Sequence, residues 1–122
     1  MPEVEFDHVQ IAAPPGCEPA ARHFFGELVG LEELQKPEPL RARGGAWFSL
    51  GERQLHIGVE ANFEPARKAH VALRLAPAEF DDLAARLAAA GAPVTLDDDL
   101  TGERRFYSED PWGNRIEFLA KA

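Results

Sequence analysis

The two halves of this sequence run parallel to each other, and that limits the fold to a duplicated unit. Each half opens on a histidine set among aliphatic residues. His8 lies in Phe6-Asp7-His8-Val9-Gln10-Ile11, and His70 lies in Lys68-Ala69-His70-Val71-Ala72-Leu73. Each half closes on a second ligand-type side chain, His56 in Leu55-His56-Ile57-Gly58-Val59 and Glu117 in Ile116-Glu117-Phe118-Leu119. The separation is 48 residues from His8 to His56 and 47 from His70 to Glu117. A duplicated fold then offers one metal-ligand side chain on the first strand and one on the last strand of each half.

Hydrophobic periodicity gives both halves the same order of elements. Residues 4–12 alternate as a strand until Pro14, Pro15 and Gly16 break it. A helix is expected from Glu18 to Val29, with Ala21, Phe24, Phe25 and Leu28 on its apolar stripe and Gly30 as its stop. Three short strands fit Leu31–Gln35, Ala46–Leu50 and Gln54–Glu60. After a connector over Ala61–Arg67, the second half repeats the series, with a strand over 69–75 and a helix from Pro77 to about Ala90. Strands near Pro93–Leu96, Arg105–Glu109 and Asn114–Leu119 follow, the last two joined through Asp110-Pro111-Trp112-Gly113-Asn114. The reading is α+β: two βαβββ modules, about 4–60 and 68–120, in a single domain spanning 1–122.

Strand parity decides whether the ligand set is physical. Val9 and Ile11, Val71 and Leu73, Leu55 and Ile57, and Ile116 and Phe118 each flank a candidate ligand. Side chains alternate faces along a strand, so all four candidates turn away from the helix-packed face. They share their face with Gln10, Gln54, Arg74 and Arg115. A polar second face suggests a cleft. At 122 residues the chain can bury a real core, and its net charge of −8 argues against nucleic acid or an anionic membrane surface as partner. No apolar run spans a bilayer, and the opening residues lack a signal-peptide pattern, so the cytoplasm is expected. Cys17 is the only cysteine, which rules out an internal disulfide and a multi-thiolate zinc site.

The opening Phe6-Asp7-His8-Val9 and the closing Asp110-Pro111-Trp112-Gly113-Asn114-Arg115-Ile116-Glu117-Phe118 together resemble the vicinal oxygen chelate superfamily. That superfamily contains glyoxalase I, fosfomycin-resistance proteins, extradiol dioxygenases and bleomycin-resistance proteins. The resemblance implies two βαβββ modules forming an open, U-shaped, β-barrel-like cavity around one divalent metal. Its metal positions carry over to His8, His70 and Glu117. At the fourth position the glyoxalase I type has glutamate, whereas this chain has His56. Such a set suits iron, nickel, zinc or manganese and leaves room for substrate oxygens. His56 is then a fourth ligand or a catalytic general base. A homodimer is also expected, because open sheet edges need a partner and most homo-oligomers are two-fold.

The remaining candidates concern substrate. Arg41 and Arg43 could clamp an anion over the cavity, and Arg74 and Arg115 point inward by parity beside His70 and Glu117. Gln10 and Trp47 join them as substrate-binding candidates, with Phe48, Phe106 and Tyr107 lining or underpinning the cavity. His23 reads as a surface residue, and Asp97-Asp98-Asp99 as a solvated turn lacking the spacing of a calcium loop. The sequence therefore points to a metal-dependent lyase, isomerase or dioxygenase of glyoxalase type acting on a small, oxygen-rich, anionic molecule. The competing class is a non-catalytic, antibiotic-binding protein of the bleomycin-resistance kind.

Overall fold

A computed structural model describes residues 3–99 and 101–122; Met1, Pro2 and Leu100, which belong to the expected 1–122 span, lie outside the described residues. The chain divides into two compact units, Met1–Phe63 and Glu64–Ala122. Both are βαβββ, and each builds a four-stranded mixed sheet that does not close into a barrel.

In the first unit, strand β1 (His8–Ala13) leads to helix α1 (Glu18–Ala21), which widens into a π-helical stretch over Arg22–Leu28. The Val29 amide donates to the Phe24 carbonyl five residues back, at 2.9 Å. The adjacent Phe24 and Phe25 are both buried, and a wider turn lets neighbouring side chains share one face. Phe25 packs on Phe48 with ring centroids 5.9 Å apart. Strand β2 is only Glu33–Leu34, and a four-residue helix α2 (Glu38–Arg41), absent from the sequence reading, follows it. Strands β3 (Ala46–Leu50) and β4 (Arg53–Val59) complete the sheet in the order β1-β4-β3-β2, with β1 parallel to β4. The segment before β3 is pinned from two sides. Glu18 accepts the Gly45 amide at 2.7 Å, and the Lys36 ammonium donates to the Gly44 carbonyl. Gly45 has φ +85°, and a Cβ there would run into the Ile57 carbonyl, so only glycine fits.

The second unit repeats the plan. Strand β5 (Val71–Arg74) is followed by a 3₁₀ turn (Pro77–Glu79) and helix α3 (Phe80–Ala89). Then come β6 (Thr95–Leu96), β7 (Glu103–Glu109) and β8 (Arg115–Lys121), in sheet order β5-β8-β7-β6. Phe80, Leu83 and Leu87 form the buried stripe of α3, and Phe80 meets Phe106 edge-on at 5.2 Å. Phe106 in turn stacks on Phe118 at 5.1 Å. Each such buried ring stabilises the fold by roughly 1.5–3 kcal/mol.

The β7–β8 turn is held by side chains rather than by glycine alone. Asp110 accepts from the backbone amides of Trp112 (3.1 Å) and Asn114 (2.9 Å), and from the Asn114 side-chain amide (2.7 Å). Burial pushes the Asp110 carboxyl above the usual carboxylate range, and those donors pull against it. Asn114 Oδ1 accepts the Ala66 amide at 2.8 Å, tying the segment before β5 to the start of β8. This turn sets where Arg115 and Glu117 stand.

Candidate functional site

In the first unit, β4 carries His56 between two neighbours, Gln10 on β1 and Trp47 on β3. Three rings form a column. Trp47 and His56 stack at 4.0 Å with an interplanar angle of 2°, and His8 and His56 stack at 4.2 Å and 21°. His56 Nε2 lies 2.8 Å from Gln54 Oε1, and His8 Nδ1 lies 2.8 Å from Asp7 Oδ2. Burial, aided by the neighbouring His8, lowers the His56 pKa below the ordinary histidine value. A neutral His56 then donates its Nε2–H to Gln54 and keeps its lone pair on Nδ1. Gln10 crosses over Gly58, where a Cβ would strike its carboxamide. His8, Gln10, Trp47 and His56 line a pocket of about 560 Å³, with Lys36 and Arg43 adding positive charge.

The second unit places Glu117 on β8 between Ala72 on β5 and Tyr107 on β7. His70 Nε2 lies 2.9 Å from Glu117 Oε1, and His70 Nδ1 lies 2.9 Å from the Lys68 carbonyl. A carbonyl can only accept, so Nδ1 carries a proton. Nε2 then either bears a second proton or aims its lone pair at a carboxylate oxygen. The second arrangement is repulsive unless a cation sits between them. Histidine anchored through Nδ1–H to a backbone carbonyl, with Nε2 free to bind, is the usual setting of a metal-ligating imidazole. Metal–ligand bonds of about 2.0–2.2 Å at roughly right angles separate their donors by about 3 Å, close to the observed spacing. Nitrogen and carboxylate donors here fit a divalent ion. The stacked His8 and His56 rings fit one less directly, because parallel rings do not aim their in-plane lone pairs at one point.

The candidate metal ligands thus come together as two pairs, His8 with His56 and His70 with Glu117. Among the described residues, no three His, Cys, Asp or Glu side chains gather into a group that could hold an ion. Among the candidate arginines, Arg43 lines the first-unit pocket, whereas Arg41 donates to the Lys36 carbonyl at 3.0 Å within its own segment. Arg74 spends its fork on Glu103, at 2.6 and 3.2 Å. Arg115 lies over the Tyr107 ring, 3.8 Å from its centroid. His23 is exposed and pairs with Glu27 one helical turn on, at 3.1 Å.

The model of the Glyoxalase/Bleomycin resistance protein/Dioxygenase superfamily matches residues 6–118. The chain belongs to that superfamily. A glyoxalase family protein from Bacillus anthracis is similar in structure with a TM-score of 0.90 and 47% identity, over 98% of this chain and 96% of that one. Two further structures share the fold. Lactoylglutathione lyase from Agrobacterium tumefaciens gives a TM-score of 0.75 at 21% identity, over 98% of this chain and 96% of that one. The fosfomycin resistance protein FosX from Listeria monocytogenes gives 0.76 at 16% identity, over 98% and 94%. No protein of curated function matches the chain.

Against the superfamily frame, the structure adds a residue that sequence reasoning missed. Arg105 on β7 places its guanidinium 3.7 Å from Glu117 Oε2 and 3.2 Å from Asp97. It leaves the second Glu117 oxygen neutralised while Oε1 faces His70. Parity alone could have flagged Arg105, since residues 103, 105 and 107 share a face on β7. Asp97, read as part of a solvated turn, is the partner that steadies it. Gln54 likewise turns out to hold His56 directly.

Proposed function

We propose that the protein is a divalent-metal-dependent enzyme of glyoxalase or dioxygenase type, working as a single 1–122 domain in a cytoplasmic homodimer. His8, His56, His70 and Glu117 hold one iron, nickel, zinc or manganese ion per site. The substrate is small, oxygen-rich and anionic. The observation that carries this reading is the His70–Glu117 pair, with Nδ1 of the histidine already committed to the Lys68 carbonyl.

A bound divalent ion supplies charge stabilisation to substrate oxygens that become negative during reaction. The chain's own groups do the rest. The Lys68 carbonyl fixes the His70 tautomer, and Arg105 holds Glu117 from its far oxygen. Burial, aided by His8, lowers the His56 pKa and so favours the neutral form that either a ligand or a proton acceptor needs. Trp47 and His8, stacked on its two sides, fix the plane of that ring. Lys36 and Arg43 attract a negatively charged substrate to the same pocket.

The stacked column Trp47–His56–His8 favours a second reading, a metal-free binding protein whose aromatic wall receives a ligand. Elemental analysis after chelation and reloading separates the two. About one ion per chain in the wild type and none in Glu117→Ala supports the enzyme, and no ion in the reloaded wild type overturns it. Turnover is then sought among 2-oxo aldehyde thiol adducts, epoxides and catechols. Light scattering tests the dimer, which a mass near 13.4 kDa at micromolar concentration would refute.

A further inference from the structure

Beside the His70–Glu117 pair, but not including it, the second unit holds a pocket of about 390 Å³. Arg67, Lys68 and Arg115 line it with Thr95, Tyr107 and a lone carboxylate, Glu109. Three cations facing one acid is a local excess of positive charge in a chain whose net charge is −8. Among the described residues, none of the three cations makes an ion pair. Arg115 stands opposite Glu109 across the β7–β8 ladder, yet its guanidinium lies over Tyr107 instead. Cation–π attraction holds a guanidinium over a ring without using its N–H donors as hydrogen bonds, and those donors can grip two oxygens of an oxyanion at once.

We propose that this pocket binds the carboxylate or phosphate group of a small molecule, with Arg115 as the bidentate anchor and Arg67 and Lys68 as the charged rim. The placement links anion binding to the ligand pair. Lys68 lines the pocket and gives its carbonyl to His70, while Tyr107 carries Arg115 on its face and meets the His70 ring edge-on at 5.8 Å. An anionic group held there stands one ring away from His70. The metal-enzyme reading is needed only to say that this group is the charged end of the substrate; the binding itself requires no metal.

The test uses ¹⁵N-labelled, chelator-treated protein, titrated separately with inorganic phosphate and with succinate at constant ionic strength. The backbone amides of Thr95, Tyr107, Gly113 and Arg115 should shift and saturate, with half-saturation on the order of 1 mM. Saturation by phosphate alone assigns a phosphate group, by succinate alone a carboxylate, and by both an oxyanion site of either kind. Arg115→Gln should weaken binding about tenfold or more, and Arg115→Lys nearly as much, because lysine keeps the charge and loses the fork. The exposed pair Arg67→Gln/Lys68→Gln covers the case in which Arg115 variants fold poorly, and should also weaken binding. The titration uses metal-free protein throughout, so a failed metal test leaves this result standing. Shifts that stay linear up to the highest anion concentration, or that survive unchanged in the Arg67/Lys68 variant, overturn the proposal.

Discussion

The two units place one ligand-type residue at the same point of the same ladder and surround it differently. His56 is flanked by Gln10 and Trp47, and Glu117 by Ala72 and Tyr107. In the first unit the partner histidine stacks on the ring; in the second it points a nitrogen at an oxygen. The cause lies in the side chains. An imidazole beside an indole lowers its energy by lying parallel to it, whereas a carboxylate draws polar partners towards it, here His70 and the Arg105 guanidinium. The duplication supplies the positions. The residue types then decide that one pair sets a nitrogen against an oxygen and the other stacks its rings.

That asymmetry predicts unequal losses. If the proposed metal site holds, removing the carboxylate that faces His70 should cost most of the metal affinity, on the order of a thousandfold for Glu117→Gln. His56→Gln should cost less, roughly ten- to a hundredfold, because the parallel His8 and His56 rings do not aim their lone pairs at one point. Competition against a coloured chelator measures both. Equal losses would break the comparison. Full metal retention with lost turnover in His56→Gln would instead make His56 the base.

The core positions beside the site show a second difference, in packing. On β3 the inward pair is Ala46 and Phe48; at the equivalent places on β7 it is Phe106 and Ser108, so the large ring has changed places. Phe106 touches both Phe80 and Phe118. Phe106→Ala should therefore destabilise the protein by about 3–5 kcal/mol. The double variant Phe106→Ala/Ser108→Phe copies the first unit's arrangement and should recover part of that loss. Urea denaturation checks both. No recovery would show that α3 packs too differently from the first unit's helix for the rings to be exchanged.

How much of this was legible follows from the same positions. Period-two alternation around His8, His56, His70 and Glu117 gave the strands and their facing, because parity needs only the local sequence. Neighbours across the ladder were not legible, because register depends on turn length. The Asp110–Asn114 turn sets Tyr107 opposite Glu117 and brings Arg105 within reach of it, and nothing in the β7 sequence states that. Parity turns Arg74 to the second face but does not name its partner, Glu103, which comes from another strand. The widened helical stretch at Phe24–Phe25 was hidden for a different reason, since an apolar stripe reads alike in helices of slightly different pitch. Helix α2 starts beside two prolines and lacks any apolar period, so only the fold around it reveals it.

The segments leading to the two site-bearing hairpins are also pinned by different chemistry, and pH should tell them apart. In the first unit the Glu18 carboxylate accepts the Gly45 amide, and that bond holds its pKa below the usual value. A carboxylate with a depressed folded pKa adds stability above its unfolded pKa, and the protein loses that stability as pH falls through the folded value. Glu18→Gln should cost about 1 kcal/mol near neutrality and progressively less on the acid side, where the wild type loses the same interaction. Thermal melts from pH 7 down to pH 3 would show the two curves converging. A constant gap would mean that Glu18 acts through packing alone.

The smallest effect concerns a hydroxyl that the first unit does without. Ser108 is buried on β7 at 2% exposure, and among the described residues its Oγ has no hydrogen-bond partner, whereas the equivalent position on β3 is the wholly apolar Phe48. Burying an unpaired hydroxyl costs free energy that an apolar group of similar size avoids. Ser108→Ala removes that oxygen and leaves only a small void. The two terms oppose each other, and the desolvation gain outweighs the lost contacts of one atom. The variant should therefore be stabilised by up to about 1 kcal/mol, read as a rise in melting temperature with metal binding unchanged. A fall in melting temperature would mean that the hydroxyl is paired in solution, and that the two units meet their polar obligations more evenly than their side chains suggest.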